Sequence, residues 1–352
     1  MNNRNKSNPL GLRGISFVEF ASPDTDSLNK LFLDFGFSHT HKHSKKDIHL
    51  YQQGDIFLHV NREEVSRAAE FKAVHGPSIA SMGWNFDDPV AALKLAVEKG
   101  ATAVTSHDYL DRRGNPLPAI AGIGGSIIYF VAPSTPDARY ENLGFLPLEH
   151  PNYRQGLGFR LIDHLTNNVH QGTMLKWANF YKDIFGFTEV RYFDIRGAKT
   201  GLVSYALRSP CGSFCIPINE GTEAESQINE YLEQYNGPGV QHLAFTTDDI
   251  IKTLTELNKT TIETLNIGDD YYEEVFDRVP GVTEDHEALK KLNILVDGDD
   301  EGYLLQIFTK HVIGPIFIEV IQRKNHQAFG EGNFGALFRS LERDQELRGV
   351  LI

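Results

Sequence analysis

The chain has 352 residues, the length of two ordinary domains, because single domains cluster at about 100–200 residues. Hydrophobic residues make up 41% and charged residues 23% of the sequence, and these globular values exclude a disordered or fibrous protein. The formal net charge is -13 and the sequence has no dense lysine or arginine tract. We therefore expect no binding to nucleic acid.

The first eight residues are polar, and no apolar run long enough for a signal peptide or a membrane span follows them. A cytoplasmic protein without a membrane partner is therefore expected. The two cysteines, Cys211 and Cys215, are too few for a disulfide scaffold and lack the second half of a zinc-ribbon pattern. They indicate free thiols.

Two helical stretches with the same ending indicate an internal repeat. Residues 26–37 and 173–187 carry apolar residues at helical spacing, and both stretches stop at Phe-Gly-Phe. The central glycines, Gly36 and Gly186, suit the left-handed conformation just past a helix end, which residues with a Cβ atom adopt only at a cost. The two helices are therefore expected at equivalent places in the fold.

A strand precedes each of these helices and alternating strands follow it, and the same order recurs from residues 81 and 242 onwards. Four βαβββ modules in two pairs result. We predict an α+β protein of two domains, in which each pair of modules forms an open, barrel-like curved sheet with outer helices. No parallel doubly wound sheet is needed.

Residues 134–156 are rich in proline, glycine and polar residues, and they fall between the second and third modules. This composition predicts a linker, with the domain boundary near Pro151. The expected domains are residues 1–150 and residues 151–352.

Three side chains in strand-like stretches look out of place there: His164, His242 and Glu319. The histidines lie at matching places in the first strands of the third and fourth modules, where the first and second modules carry Phe17 and Ser81. Two histidines and one carboxylate form the facial set of an open ferrous site. We predict one Fe(II) per chain in the C-terminal domain, and no metal ligands in the N-terminal one.

Each of these residues also has a structural interpretation. A single histidine in a strand is more often a satisfied core or surface residue than a metal ligand. Apolar residues flank Glu319 on both strand faces, so its carboxylate must be buried, which requires a cation, a salt bridge or a proton. A salt bridge with Arg323 or Lys324 is the alternative to a metal.

Five long motifs follow one another in the C-terminal half of the chain. They are Pro-Ile-Asn-Glu (217–220), Gly-Val-Gln-His-Leu-Ala (239–244), Tyr-Leu-Leu-Gln-Ile-Phe-Thr (303–309), Phe-Ile-Glu-Val-Ile-Gln-Arg (317–323) and Gly-Glu-Gly-Asn-Phe (330–334). Together they resemble the 4-hydroxyphenylpyruvate dioxygenase family of the vicinal-oxygen-chelate superfamily. The resemblance covers nearly the whole chain and is strongest over residues 158–342.

The resemblance implies a glyoxalase-like fold, one Fe(II) held by His164, His242 and Glu319, and a small-molecule reaction. In that reaction 4-hydroxyphenylpyruvate and O2 give homogentisate and CO2 by oxidative decarboxylation, ring hydroxylation and side-chain migration, in tyrosine and phenylalanine catabolism. The implied substrate-binding residues are Ser204, Asn219, Gln227, Gln241, Gln306, Phe308, Phe329 and Phe334. Among these, Gln306, Phe308, Phe334, Asn219 and Ser204 are expected to act in catalysis.

One position conflicts with a regular strand. Strict alternation places Gln241 on the opposite strand face from His242, so we expect either a twist or bulge there or an action of Gln241 through another residue. Gln306 and Phe308, in contrast, share one strand face, as a pocket wall requires.

Several alternatives stay open at this point. The resemblance also implicates hydroxymandelate synthase, which would use the same iron, ligands and substrate but oxygenate the benzylic carbon. That relative is expected to carry a smaller aliphatic residue at the place of Phe334, so Phe334 favours ring attack. A non-redox, glyoxalase-like metal isomerase and a metal-free binding module are further candidates. The helix from residue 334 onwards is expected either to close the site as a lid or simply to dock on the barrel. We also expect a homo-oligomer, a dimer or a tetramer.

Overall fold

The computed structural model contains two eight-stranded sheets, one in each half of the chain. It describes the chain in segments, which are residues 7–111, 113–133, 139–197, 199–347 and 349. Most of the polar N-terminal stretch and the first part of the expected linker, residues 134–138, lie outside the described residues.

The first sheet is formed by eight strands: β1 (Leu12–Ala21), β2 (Ser38–His43), β3 (Ile48–Gln53), β4 (Ile56–Asn61), β5 (Ser78–Phe86), β6 (Ala119–Ala121), β7 (Ile127–Val131) and β8 (Phe145–Asn152). Their order across the sheet is β6-β7-β5-β1-β4-β3-β2-β8. At the centre β1 pairs antiparallel with β5, while β4 and β7 run parallel to β1 and β5 respectively. The two central strands thus join the first two modules.

The second sheet repeats this arrangement with β9 (Phe159–Val169), β10 (Thr188–Arg196), β11 (Gly201–Arg208), β12 (Cys215–Gly221), β13 (Gly239–Thr247), β14 (Leu295–Gly298), β15 (Tyr303–Phe308) and β16 (Phe317–Lys324). Its order is β10-β11-β12-β9-β13-β16-β15-β14. The antiparallel pair β9 and β13 lies at the centre, with β12 and β16 parallel to β9 and β13. The predicted α+β fold of paired modules is confirmed.

Among the described residues, ten α-helices connect or cover the strands: α1 (Thr25–Asp34), α2 (Arg67–His75), α3 (Pro89–Glu98), α4 (Arg139–Asn142), α5 (Met174–Phe180), α6 (Gln227–Gln234), α7 (Ile250–Leu257), α8 (Tyr271–Arg278), α9 (His286–Lys291) and α10 (Phe334–Leu347). Six of these helices begin after an Asp or Ser whose side chain accepts a hydrogen bond from a backbone N–H of the first turn. They are α1, α2, α3, α6, α7 and α9. Such caps satisfy amide groups that would otherwise lack partners.

The two Phe-Gly-Phe endings occupy equivalent places, as the repeat predicts. Gly36 has a φ of 78° after α1, and Gly186 has a φ of 84° after the π-helical turn Tyr181–Phe185 that extends α5. A side chain at either position would meet neighbouring atoms at 3.0 Å or less. Glycine therefore supplies both the conformation and the space at these turns.

The second module departs from the pattern. The first of its three later strands is reduced to an isolated bridge between Ala103 and Ile120. Strand β8 instead crosses to the far edge of the first sheet and pairs antiparallel with β2. The expected linker is therefore wrong for Phe145–Asn152, because this segment satisfies its backbone groups in the sheet, and the connection to β9 is short.

The hydrophobic core is continuous between the two halves. Trp84 of β5 is buried and packs against Phe185, Phe187 and Phe214 of the second half, with ring centroids 5.0 to 6.0 Å apart. Aromatic rings at such distances contribute packing energy beyond the area that they bury. Among the described residues, no helix is long and apolar enough to cross a membrane.

Candidate metal centre and substrate cavity

Strand register brings the three predicted metal ligands together. Ala244 on β13 lies opposite His164 on β9 and also opposite Glu319 on β16. His242 precedes Ala244 by two residues on β13, so its side chain leaves the same face of the sheet. Three residues separated by up to 155 positions in sequence thus converge on one point of the central strands.

The donor atoms form a small buried triangle. His164 Nε2 lies 3.1 Å from Glu319 Oε2 and 3.3 Å from His242 Nε2, and His242 Nε2 lies 3.5 Å from Glu319 Oε2. All three residues are less than 9% exposed. Adjacent ligands of an octahedral ion with bonds of about 2.1 Å stand about 3 Å apart. The triangle therefore has the size that a single ion requires.

The other nitrogen of each imidazole is engaged by an acceptor. His164 Nδ1 lies 2.7 Å from Asp163 Oδ2, and His242 Nδ1 lies 3.0 Å from Gln241 Oε1. A hydrogen-bond acceptor at Nδ1 favours the tautomer with the proton there, which leaves the lone pair on Nε2. Both lone pairs then face the Glu319 carboxylate, and this donor set fits a divalent cation.

Charge within the triangle is strongly coupled. Burial alone would raise the pKa of Glu319, but the two histidines outweigh burial and lower the pKa to about 2. Burial alone would lower the pKa of His164, yet Glu319 and Asp163 raise it to about 9. Without an ion, a proton on His164 balances the buried carboxylate. The buried carboxylate therefore needs a positive charge beside it, and a bound metal ion would provide that charge in place of the proton.

The alternative partners of Glu319 are engaged elsewhere. Arg323 makes a two-pronged ion pair with Asp163, at 2.8 Å for both contacts. Lys324 lies 4.0 Å from Glu284. The part of the chain that the structure describes contains one group of at least three His, Cys, Asp or Glu side chains whose donor atoms lie close together. That group is His164, His242 and Glu319.

A cavity of about 90 Å³ opens beside the triangle, inside the second sheet. The eight predicted substrate-binding residues all line it, together with the three predicted metal ligands. These eight are Ser204, Asn219, Gln227, Gln241, Gln306, Phe308, Phe329 and Phe334. The fold therefore brings all eight predicted residues to the lining of one cavity, and the role of each residue stays a prediction.

Polar residues of the wall are positioned by neighbouring strands. Ser204 on β11 lies directly opposite Asn219 on β12, and the Asn219 amide donates to Asn168 Oδ1 at 3.3 Å. Gln306 on β15 is buried, and a Cβ atom on Gly330 would lie 1.9 Å from its Oε1. Gly330 has a φ of 81°, a conformation that favours glycine, and the missing Cβ atom also leaves room for the Gln306 side chain.

The conflict at Gln241 is resolved by a bulge. The pairing of β13 with β9 shifts register between Val240 and His242, so that Gln241 and His242 both face the cavity. A bulge inserts one residue and redirects a side chain in this way. Gln241 also holds His242 through the hydrogen bond to Nδ1, so both expected possibilities occur together.

Several wall residues were missed in the sequence. Apolar side chains complete the cavity, and those not predicted are Phe193, Ile195, Leu202, Pro217, Phe317, Leu337, Phe338 and Leu341, with Thr166 as a polar addition. Phe193 packs edge-on against Phe334, with ring centroids 5.3 Å apart. Alternation with Glu319 could have identified Phe317, because residues two apart on a strand share one face.

Helix α10 covers the cavity. Its residues Phe334, Leu337, Phe338 and Leu341 line the wall. The buried Glu342 accepts hydrogen bonds through Oε1 from the backbone amides of residues 199 and 200, both at 3.0 Å. The helix is therefore docked with its apolar face on the cavity and fastened to the β10–β11 turn.

At the equivalent point of the first sheet stand Phe17, Ser81 and Tyr129, none of which is a His, Cys, Asp or Glu. Gly83 on β5 lies opposite both Phe17 on β1 and Tyr129 on β7, as Ala244 lies opposite His164 and Glu319. Ser81 precedes Gly83 by two residues and occupies the place of His242. The predicted equivalence of Phe17 and Ser81 with the histidines is confirmed, and aromatic rings fill this part of the first sheet.

Fold and donor set together define a vicinal-oxygen-chelate protein with a buried centre suited to a divalent metal. Residues 6–142 match the family model described as hydroxyphenylpyruvate dioxygenase, N-terminal, and residues 161–287 match that of the glyoxalase, bleomycin resistance protein and dioxygenase superfamily. The chain is 44% identical over 348 residues to the 4-hydroxyphenylpyruvate dioxygenase of Legionella pneumophila, covering 98% of both chains. It belongs to the 4-hydroxyphenylpyruvate dioxygenase family.

Two other relatives extend this comparison. Protein MelA of Shewanella colwelliana is 55% identical over 347 residues, which cover 98% of this chain and 99% of that protein. A solved structure of a triple mutant of 4-hydroxymandelate synthase from Streptomyces coelicolor is 26% identical and superposes with a TM-score of 0.83, covering 95% of this chain and 99% of the other. The similarity thus extends over both halves.

Proposed function

We propose that this chain is an Fe(II)-dependent dioxygenase that converts 4-hydroxyphenylpyruvate and O2 to homogentisate and CO2 in tyrosine and phenylalanine catabolism. The observation that carries the proposal is a 44% identity to 4-hydroxyphenylpyruvate dioxygenase over nearly the full length, joined to a buried triangle of two imidazoles and a carboxylate. Two histidines and one carboxylate with open positions are a typical ligand set of ferrous oxygenases.

His164, His242 and Glu319 hold one Fe(II) in this proposal. Bound there, Fe(II) would supply the dioxygen chemistry for a 2-oxo acid substrate. The three side chains come from adjacent strands of one sheet, which fixes their relative positions. All three also line the cavity, next to its polar residues.

The cavity residues bind and orient the substrate. Phe308 and Phe334 hold the aromatic ring, because both line the cavity and aromatic rings pack favourably against one another. Ser204, Asn219 and Gln306 offer hydrogen bonds to substrate oxygens, with Gln227 and Gln241 at the same wall and Phe329 beside His164. Such positioning lowers the barrier by holding the reacting groups in a productive geometry.

Helix α10 is a lid that excludes water in this proposal. Its apolar side chains close the cavity, and the Glu342 contacts tie it to the β10–β11 turn. Exclusion of water protects reactive species from side reactions. The chain's own contribution to chemistry is therefore confinement and orientation.

The organisation of the whole protein is proposed as follows. Residues 1–150 form a domain without metal ligands, residues 151–352 form the catalytic domain, and the protein acts in the cytoplasm. We also propose a homo-oligomer, a dimer or a tetramer, supported by exposed apolar side chains near the outer strand β8, such as Leu146 and Tyr153. Light scattering during size-exclusion chromatography tests the assembly, and a monomer would contradict it.

One assay tests the function. Purified protein with Fe(II), ascorbate and 4-hydroxyphenylpyruvate should consume oxygen and release homogentisate, identified by mass and NMR. If hydroxymandelate is the product instead, the enzyme oxygenates the benzylic carbon and not the ring. Absence of oxygen uptake with metal bound would instead indicate a non-redox isomerase.

A further inference from the structure

An ion pair beside His164 is not explained by the proposed chemistry. Asp163 directly precedes His164 on β9, and its Oδ2 accepts the hydrogen bond from His164 Nδ1 at 2.7 Å. Both Asp163 oxygens also accept from Arg323 of β16, from Nε and Nη2, at 2.8 Å each. The side chains of Asp163 and Arg323 are only 13% and 15% exposed. The fork of Arg323 therefore fixes the carboxylate that holds the imidazole.

The same guanidinium also reaches the segment that leads to helix α10. Arg323 Nη1 donates to the carbonyl oxygens of His326 at 3.1 Å and Ala328 at 2.6 Å. The next residue is Phe329, whose ring stands edge-on to the His164 ring with centroids 5.6 Å apart. Four hydrogen bonds from one planar group thus connect strand β9 to residues 326–328.

We propose that Asp163 and Arg323 are positioning residues that couple the orientation of His164 to the closure of the segment before α10. The inference rests on the proposed metal centre. Asp163 holds the imidazole with Nε2 towards Glu319 and His242, and Arg323 holds both Asp163 and the backbone next to Phe329. Neither residue touches the cavity, so both act through others.

The geometry argues against an ion pair that only stabilises the fold. Apolar side chains of similar volume often stabilise a buried position as well as an ion pair does, because two charges lose hydration there. A two-pronged guanidinium instead specifies direction, which a single ammonium cannot do. Partners of metal-bound histidines commonly change metal affinity by 10–100-fold when they are replaced.

The test compares Asp163→Asn and Arg323→Lys with a matched control, Arg160→Lys. Arg160 also lies on β9 and pairs with Asp248 at 2.8 Å, but that pair is exposed. We expect Fe(II) binding, measured by anaerobic titration without substrate, to weaken by at least 10-fold in the first two variants and to stay at the wild-type value in the control. Asp163→Asn has the same shape as the native residue, so it tests the inference even if Arg323→Lys fails to fold.

A second measurement follows residues 326–334 by hydrogen exchange in the metal-free protein. Exchange should be faster in both variants than in the wild type, and unchanged in Arg160→Lys. If Asp163→Asn keeps the metal affinity and the exchange rates of the wild type, the inference is overturned, even if the melting temperature falls. The pair of Asp163 and Arg323 would then have a structural role only. Wild-type protein that binds no Fe(II) would overturn the proposed function as well, which separates the two failures.

Discussion

Glu319 illustrates how a single residue can require a cation. Glu319 is 3% exposed and its carboxylate lies beside two imidazoles, while the neighbouring Arg323 and Lys324 pair with other carboxylates. Leaving such a group charged without a partner costs several kcal/mol. In the metal-free protein a proton on His164 provides the balancing charge, and in the proposed holoenzyme the metal does so.

Replacement of Glu319 should therefore remove metal binding without unfolding the protein. Glu319→Gln keeps the shape of the side chain but removes its charge, and we expect loss of Fe(II) retention after gel filtration, with an unchanged far-UV circular dichroism spectrum. The measurement is iron content per chain. His164→Ala and His242→Ala should behave alike. Glu256→Gln should retain full iron, because this partly exposed residue of α7 pairs with Lys259 and does not line the cavity. Full iron content in Glu319→Gln would refute the ligand assignment.

Phe334 is the residue on which the product of the reaction is expected to depend. It lines the cavity at the start of α10 and packs against Phe193. Phe334→Ile removes an aromatic face, so the substrate ring loses its support and part of the product should shift from homogentisate to hydroxymandelate. The product ratio is measured by liquid chromatography.

The control for this change is Phe276→Ile, since Phe276 stacks on His286 outside the cavity. An unchanged product ratio in Phe334→Ile would remove Phe334 from control of ring attack. Loss of all activity with normal iron content would assign Phe334 to substrate binding in general.

The sequence predicted the polar residues of the site better than the apolar ones. A histidine or glutamate inside a strand conflicts with its surroundings and is therefore noticed, while Phe193 and Phe338 are indistinguishable from core phenylalanines. Asp163 was missed because alternation directs it away from His164. Only the structure brings its carboxylate back onto the ring nitrogen.

At the level of elements, the strands are better encoded than their connections. The repeat predicts four modules, since each needs the same alternation and helix period. Strand β8 was mistaken for a linker because it contains Pro147, Glu149 and Pro151 and lies at the sheet edge with most of its residues exposed, so its sequence lacks the alternation of a half-buried strand. The pairing with β2 depends on a distant partner, which local sequence does not specify.

Glu342 fastens helix α10 to the β10–β11 turn, so the proposed lid can be tested by removing this side chain. Glu342→Ala deletes acceptors for two backbone amides and for the Thr200 hydroxyl at 3.2 Å. We expect the helix to open more often, with faster proteolysis of the C-terminal segment and more oxygen consumed per homogentisate formed. Glu346→Gln is the control, because its contact with Lys199 is exposed. Tight coupling and wild-type proteolysis in Glu342→Ala would argue against the lid.

In the whole molecule, the two halves put the same sheet to different uses. Phe17 lies against Gly83 so closely that a Cβ atom there would stand 2.2 Å from the ring. Beside this packing, the buried Glu19 accepts hydrogen bonds from Asn61, Ser81 and Tyr109. In the first half, an aromatic core and the buried carboxyl group of Glu19 thus stand where the second half has its donor triangle.

This carboxyl group makes the stability of the whole protein depend on pH. Burial raises the pKa of Glu19 from 4.5 to about 7, and nearby Asp108 adds to the effect. Between these values the folded protein keeps a proton that the unfolded chain releases, so stability is lost as pH rises from about 4.5 through 7. At about 1.4 kcal/mol per unit of pKa, the loss approaches about 3 kcal/mol.

Glu19→Gln should remove this dependence, because the amide stays neutral at every pH. Urea unfolding of the metal-free proteins between pH 5 and pH 8 should show the variant gaining stability relative to the wild type as pH rises. Glu64→Gln, at an exposed position, should keep the wild-type slope. Parallel curves for Glu19→Gln and the wild type would mean that Glu19 is already ionised at pH 5. In that case its three hydrogen bonds, rather than a proton, would satisfy the buried carboxylate.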